Sequence, residues 1–299
     1  MKSPPYLMPN DKVQIVSPSK IFDKDALEAG INILKSWKLE VILSANLYAT
    51  YHQFSGTDDQ RTSDLQSALD DSNIKAIFCV RGGYGTGRII DQLDFTKFIK
   101  NPKWICGFSD ITFLLSKINT LNIQCLHSAM VSQFANSDYT KSTKALKNLL
   151  FGKSINYSIK SSRFNKWGSA TAPVIGGNLT ILHNQLDTKS EVDLKGKILF
   201  IEDVGEYLYH IDRMMVHLKR SNRLRHLKGL IVGYFSQMKD GEPTFCNSFE
   251  EIILESVREY NFPVVFNFPA GHIAPNFPII FGRELHLDVQ PGKASISYN

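Results

Sequence analysis

The chain has 299 residues, with 34 Lys and Arg against 29 Asp and Glu, a formal net charge of +5. At 43% hydrophobic and 21% charged residues the composition is that of a globular protein and excludes a disordered one. The basic residues are scattered apart from one cluster at Lys219, Arg220, Arg223, Arg225 and Lys228, which argues against a dedicated nucleic-acid binder.

Strands and helices alternate through the first half. Val13 to Val16 reads as a short apolar strand ending at Ser17-Pro18-Ser19. Asp23 to Lys38 has Leu27, Ile31 and Leu34 at helical spacing. Val41 to Leu43 is the next strand. Thr57 to Asp70 reads as a helix opened by a capping box of Thr57 and Gln60. Ile74 to Val80 is a buried strand that runs into Arg81-Gly82-Gly83-Tyr84-Gly85-Thr86-Gly87-Arg88. Ile105 to Phe108 is a strand, Ile111 to Ile118 a helix, and Ile123 to Leu126 a further strand. This alternation predicts an open, mostly parallel α/β sheet, whose functional loops lie at the carboxyl ends of its strands. Ser17, the glycine loop and Ser109 all fall there.

The length predicts two domains. The Ser-, Lys- and Asn-rich stretch that follows breaks the rhythm, so the expected organisation is an N-terminal domain over 1–150, a crossover linker over 151–172 and a C-terminal domain over 173–299. In the last, strands are expected at Ile198 to Ile201, Leu230 to Phe235 and Val264 to Phe268. Helices are expected at Asn178 to Leu186, Tyr209 to Arg220 and Phe249 to Tyr260.

Four cysteines, Cys79, Cys106, Cys125 and Cys246, form no C-x-x-C pair and have apolar neighbours, which reads as buried free thiols in a reducing compartment. No apolar h-region follows the N-terminus, and no apolar run approaches the ~20 residues of a transmembrane helix. A cytoplasmic protein without a membrane partner is expected.

Gly107-Phe108-Ser109-Asp110 joins a strand directly to a helix. Such a turn lifts a serine hydroxyl clear of the backbone and puts it beside free helix N–H groups, the geometry of a nucleophile elbow. Ile111 stands where the G-x-S-x-G pattern has its second glycine, and a plain helix N-cap remains open. The glycine loop admits three readings: a phosphate cradle, a source of oxyanion N–H groups through Gly82 or Gly83, or a tight turn without a ligand. A serine nucleophile needs a base and an orienting acid. His272, in a loop after an expected strand, and His127, at the end of another, compete as base. Glu202 ends an apolar strand and is the expected acid, with Asp203 and Glu206 as alternatives. No histidine spacing supports a metal site.

These segments together resemble the LD-carboxypeptidase family of serine peptidases, from about Asp11 to Asp288. The resemblance runs through Val16-Ser17-Pro18-Ser19, Phe54 to Arg61 with Asp64, Arg81-Gly82-Gly83-Tyr84-Gly85, Gly107 to Asp110, Gly176-Gly177-Asn178-Leu179, Leu199 to Asp203 with Ile211-Asp212-Arg213-Met214, and Gly271-His272. It implies a Ser109–His272–Glu202 triad, with Asp110 and one of Gly82 and Gly83 as oxyanion donors. It implies a flavodoxin-like N-terminal domain, similar to class I glutamine amidotransferases, a smaller β-rich α/β C-terminal domain, and a homodimer. The implied reaction is release of a terminal D-amino acid from a murein tetrapeptide in cell-wall recycling, with no cofactor and no metal. Arg81 and Arg88 are the expected partners of the substrate carboxylate. A second branch of the family cleaves peptidyl-nucleotide antibiotics of the microcin C type, and would stack the nucleotide on an aromatic side chain in a loop of the second domain. Trp167 is the tryptophan near the crossover and reads as a packing residue. A non-catalytic binding module on the same fold is the third reading. The chain departs from the family at His127-Ser128-Ala129, where His-Gly-Pro is common, and at Asp187-Thr188, where Gly-Thr is common. Neither touches the triad.

Overall fold

The computed structural model describes residues 1–298. The chain opens with β1 (Lys12–Val16), α1 (Lys24–Ser36), β2 (Glu40–Leu43), α2 (Asp58–Asp70) and β3 (Ile74–Cys79). Then come α3 (Thr86–Ile89), α4 (Thr96–Lys100), β4 (Trp104–Gly107), α5 (Thr112–Thr120), β5 (Cys125–His127) and α6 (Thr140–Leu150). The second half runs β6 (Asn156–Lys160), β7 (Gly168–Asn178), α7 (Leu179–Asn184), β8 (Ile198–Val204), α8 (Leu208–Arg220), β9 (Gly229–Ser236), α9 (Phe249–Ser256) and β10 (Val264–Val265). It closes with β11 (Ile279–Phe281), β12 (Glu284–Gln290) and β13 (Lys293–Tyr298).

Two compact units divide the chain. The first is Met1–Ser154 with Pro275–Gly282; the second is Ile155–Ala274 with the stretch from Arg283 onward. The boundaries differ from the sequence expectation in two places. Part of 151–172 is strand, in β6 and the start of β7. Residues 275–282, expected in the C-terminal domain, return to the first unit.

The first unit holds a six-stranded sheet in the order β11-β5-β4-β3-β1-β2. Its five sequential strands are parallel, and β11 adds antiparallel to β5. The order 2-1-3-4-5 is that of a flavodoxin-like sheet. Its strands are apolar because helices cover both faces: every residue of β4 is buried, as are all but one of β3. Thr57 and Gln60 form the capping box at the start of α2.

The second unit holds a seven-stranded sheet in the order β10-β9-β8-β7-β12-β13-β6. Strands β7 to β10 are parallel, and β12, β13 and β6 extend the sheet antiparallel. A core of Leu199, Ile201, Ile211, Met215, Leu230 and Val232 fills the space between the parallel strands and the helices. Residues 264–268 pair as strand only at Val264–Val265. Phe266 N–H donates instead to Asn165 Oδ1, and Asn267 takes a left-handed backbone at φ 64°.

Candidate active site

In the first unit, β4 ends at Gly107 and the chain turns at once into the helical segment leading to α5. Ser109 sits in that turn with φ 62°, a left-handed backbone that costs a non-glycine residue about 1–3 kcal/mol. An N-cap has an extended backbone, so Ser109 is not a helix cap, and the turn has the strained backbone that an elbow would have. Ile111 is fully buried, and a Cβ on Gly107 would lie 2.9 Å from its Cγ2. In this elbow the first glycine makes room for the residue in the place of the second.

The glycine loop lies against this turn. A Cβ on Gly82 would stand 3.0 Å from Ser109 Cβ, 3.2 Å from Ser109 Oγ and 3.3 Å from the backbone N of Asp110. Gly83 turns at φ 111° against the Lys20 side chain. Asp110 Oδ2 accepts from Ser19 Oγ at 2.6 Å and from Thr86 N–H at 2.8 Å. Ser19 spends its proton on Asp110, so the Thr86 hydroxyl donates to Ser19 Oγ at 2.8 Å. The buried Arg61 guanidinium donates to the carbonyls of Pro18 and Gly85 and to Asp58. Burial pulls its pKa down, and Asp58 opposes the shift. The loops after β1, β3 and β4 are thereby tied together, through Ser19, Thr86 and Arg61, which the sequence did not mark as site residues.

Arg88 is held by Asp58 through three contacts of 2.7–3.1 Å, and this pairing keeps the Asp58 carboxyl below its ordinary range. Arg81 is exposed and donates to the Ile21 carbonyl at 3.1 Å. His127 is fully buried between the rings of Phe108 and Phe281, with Nε2 3.2 Å from Asn276 Oδ1. It is a core histidine.

In the second unit, the apolar strand β8 carries Glu202 and Asp203 near its carboxyl end. Alternation along the strand sends them to opposite faces. Glu202 is fully buried, and its Oε2 lies 2.7 Å from His272 Nδ1. A carboxylate only accepts, so the imidazole donates through Nδ1 and its basic nitrogen is Nε2. Burial pushes the His272 pKa down, but the Glu202 charge, the hydrogen bond and Asp203 together outweigh it and raise the imidazole above its ordinary value. Glu202 Oε1 has no hydrogen-bond partner among the described residues. Gly271 precedes the histidine at φ 136°, and a Cβ there would lie 3.2 Å from both Glu202 Oε2 and the Tyr234 carbonyl. Only glycine brings the loop this close to the carboxylate.

Asp203 is engaged elsewhere. It accepts from Asn178 Nδ2, Thr180 N–H, Thr180 Oγ1 and Val204 N–H at 2.8–2.9 Å. Burial and the neighbouring Glu202 charge raise its pKa to about 6 against those bonds. Glu206 pairs with His210 at 2.6 Å. Of the three acids, Glu202 is the one joined to His272. The expected residues thus form two clusters, Ser109 with Asp110 and Gly82 in the first unit, and Glu202 with His272 in the second.

Cys79, Cys106 and Cys125 are buried, which pushes their thiols up. Cys246 is exposed, contrary to expectation. Trp167 is 66% exposed, so it is not the packing residue expected. Among the described residues no helix is long and apolar enough to cross a membrane, and no three His, Cys, Asp or Glu side chains are grouped to hold a metal ion.

The LD-carboxypeptidase N-terminal domain matches residues 13–128, and the LD-carboxypeptidase C-terminal domain matches residues 171–287. A Bacillus subtilis protein named a probable murein peptide carboxypeptidase is 31% identical over 98% of this chain and 93% of its own. The crystal structure of muramoyltetrapeptide carboxypeptidase from Oxalobacter formigenes superposes with a TM-score of 0.88 at 26% identity, covering 96% of this chain and 98% of that one. The microcin C7 self-immunity protein MccF has a TM-score of 0.86 over 98% of both chains at 19% identity, a likeness of fold. The chain belongs to the LD-carboxypeptidase family and is a peptidase.

Proposed function

We propose that the protein is a serine LD-carboxypeptidase that releases the terminal D-Ala of a murein tetrapeptide in cell-wall recycling. Ser109 Oγ attacks the carbonyl of the amide between an L-centre and the terminal D-residue, while His272 Nε2 takes its proton. Glu202 fixes the imidazole tautomer and stabilises the imidazolium. The N–H of Asp110 and one from the Gly82–Gly83 turn receive the oxyanion. His272 returns the proton to the leaving amine, and water, activated by His272, frees the tripeptide from Ser109. The protons balance among these side chains and water, so the reaction calls for no metal or organic cofactor.

The observation that carries this reading is the 2.7 Å bond between Glu202 and His272. A fully buried carboxylate with one oxygen on a histidine and the other without a partner is costly on packing grounds. Stabilising a transient imidazolium accounts for it. The left-handed backbone of Ser109 supports the nucleophile, and the names of the Bacillus and Oxalobacter relatives support the substrate. Arg81 is the better partner for the substrate carboxylate, since Arg88 is engaged by Asp58. The working form is proposed to be a cytoplasmic homodimer, which light scattering of the purified protein tests.

A second reading, cleavage of a microcin-like peptidyl-nucleotide, is favoured by the exposed Trp167, which offers a ring face to a base. Mass spectrometry of the protein with murein tetrapeptide, beside such a conjugate, decides between them. Tripeptide plus free D-Ala is expected, with no loss of rate in EDTA. Preferential cleavage of the conjugate selects the second reading. Undiminished turnover by Ser109→Ala overturns both.

A further inference from the structure

One cleft in the second unit lies away from Glu202 and His272. Its volume is about 920 Å³, and its walls include Ser169, Asn222, Arg225, Lys228, Tyr260 and Asn261. These residues gather at the amino ends of the parallel strands: Ser169 begins β7, Lys228 precedes β9, and Tyr260 and Asn261 precede β10. Glu202 pairs with Asn178 at the carboxyl end of the same strands, whereas Ile198 pairs with Gly229 at their start. Four residues of strand separate the two levels, roughly 13 Å.

The charge of the cleft is not cancelled from within. Glu259, on its wall, is taken by Lys219 at 2.8 Å. Among the described residues Arg225 and Lys228 have no carboxylate within ion-pair distance, and both are exposed. Two of the five members of the basic cluster conspicuous in the sequence therefore face one cavity. A third, Arg223, is tied to Asp187 and Glu191 and does not contribute.

The rest of the lining suits a hydroxyl-rich ring. Asn222 and Asn261 each offer an amide that both donates and accepts, as vicinal hydroxyls require. Tyr260 is half-buried and backed by Phe262, with centroids 5.7 Å apart and planes at 14°. Lys166 Nζ further holds the backbone at Tyr260 and Arg258. A fixed aromatic face packs against the C–H face of a pyranose. The volume far exceeds that of a simple anion and falls within the range of small-molecule sites.

We propose that this cleft is a binding site for an anionic saccharide, a sugar ring carrying a phosphate or a carboxylate, separate from the Glu202–His272 site. Arg225 and Lys228 hold the anion, Asn222 and Asn261 the hydroxyls, and Tyr260 the ring face. Calorimetric titration of the intact protein with glucose 6-phosphate, glucuronate, glucose and inorganic phosphate tests it. Glucose 6-phosphate, glucuronate or both bind, the active one naming the anion, while glucose and phosphate bind at least about tenfold more weakly. Arg225→Ala with Lys228→Ala weakens the charged sugar by at least about tenfold. Asn261→Ala weakens the sugar without changing phosphate, which separates ring recognition from bare charge. Glu202→Gln leaves binding intact. The proposal is overturned if no charged sugar binds, if phosphate binds as tightly as the charged sugar, or if the double variant binds unchanged.

Discussion

Gly82→Ala is the most discriminating test of the elbow. Gly82 lacks a left-handed backbone, so alanine meets no conformational penalty there. Its methyl would stand 3.0 Å from Ser109 Cβ and 3.3 Å from the Asp110 nitrogen. A shift of a few tenths of an ångström relieves such contacts, and the expected cost in stability is about 1 kcal/mol. The effect on catalysis is far larger. An oxyanion bound to the Asp110 N–H needs its oxygen within about 2.7–3.1 Å of that nitrogen. A carbon 3.3 Å from the same nitrogen leaves little room for it. Loss of one such donor costs about 3–4 kcal/mol of transition-state stabilisation, or roughly 10²–10³ in kcat. The ground-state carbonyl lies elsewhere, so KM should change little. Steady-state release of D-Ala from a tetrapeptide gives kcat and KM, and a thermal melt gives the stability. A folded variant that keeps more than about a tenth of wild-type kcat would refute the assignment of an oxyanion at Asp110.

Three further outcomes follow from the same geometry. Ser109→Gly should be inactive yet more stable by about 1 kcal/mol, because glycine relieves the left-handed backbone; a melting temperature ~2–4 °C higher is expected, and a lower one would remove the strain argument. Glu202→Gln should lower kcat by roughly 10³–10⁴, as neutralising the acid of a triad does. Its pH profile carries the sign: His272 is a base only when neutral, Glu202 raises its pKa, and so the acid limb of kcat should move to lower pH in the variant. An acid limb that stays in place would detach His272 from catalysis. Arg81→Ala should raise KM several-fold at constant kcat, while Arg88→Ala, whose partner is Asp58, should leave both unchanged.

The first unit was legible because its chemistry is local and periodic. Leu27, Ile31 and Leu34 trace one helix face, Thr57 and Gln60 announce a helix start, and each β-strand is an apolar run between turns. The antiparallel strands of the second unit were missed although their signal was present. Leu285, Leu287 and Val289 alternate with polar residues in β12, as Ala294 and Ile296 do in β13 and Tyr157 and Ile159 in β6. Such short half-exposed strands resemble loops until their partners are known. At the site, residue types, order and the family resemblance pointed to Glu202 and His272 with Asp203 as an alternative acid, and the hydrogen bonds join Glu202 to His272 while engaging Asp203 elsewhere. The anchoring of Asp110 by Ser19 and Thr86 joins residues far apart in sequence, which no local pattern encodes.

Strand β11 bears on how the protein is made. The sheet of the first unit is completed by Ile279–Phe281, which cover β5 at Cys125–His127. On a ribosome these residues follow β5 by about 150 positions, a delay of roughly 8–30 s at ordinary elongation rates. Through that interval the emerging sheet has a bare edge at β5, the kind of edge that recruits foreign strands. A nascent chain stalled or cleaved in the second half before Ile279 carries the same open edge, so truncated products should aggregate through β5, and synthesis of β11 is what seals the first unit.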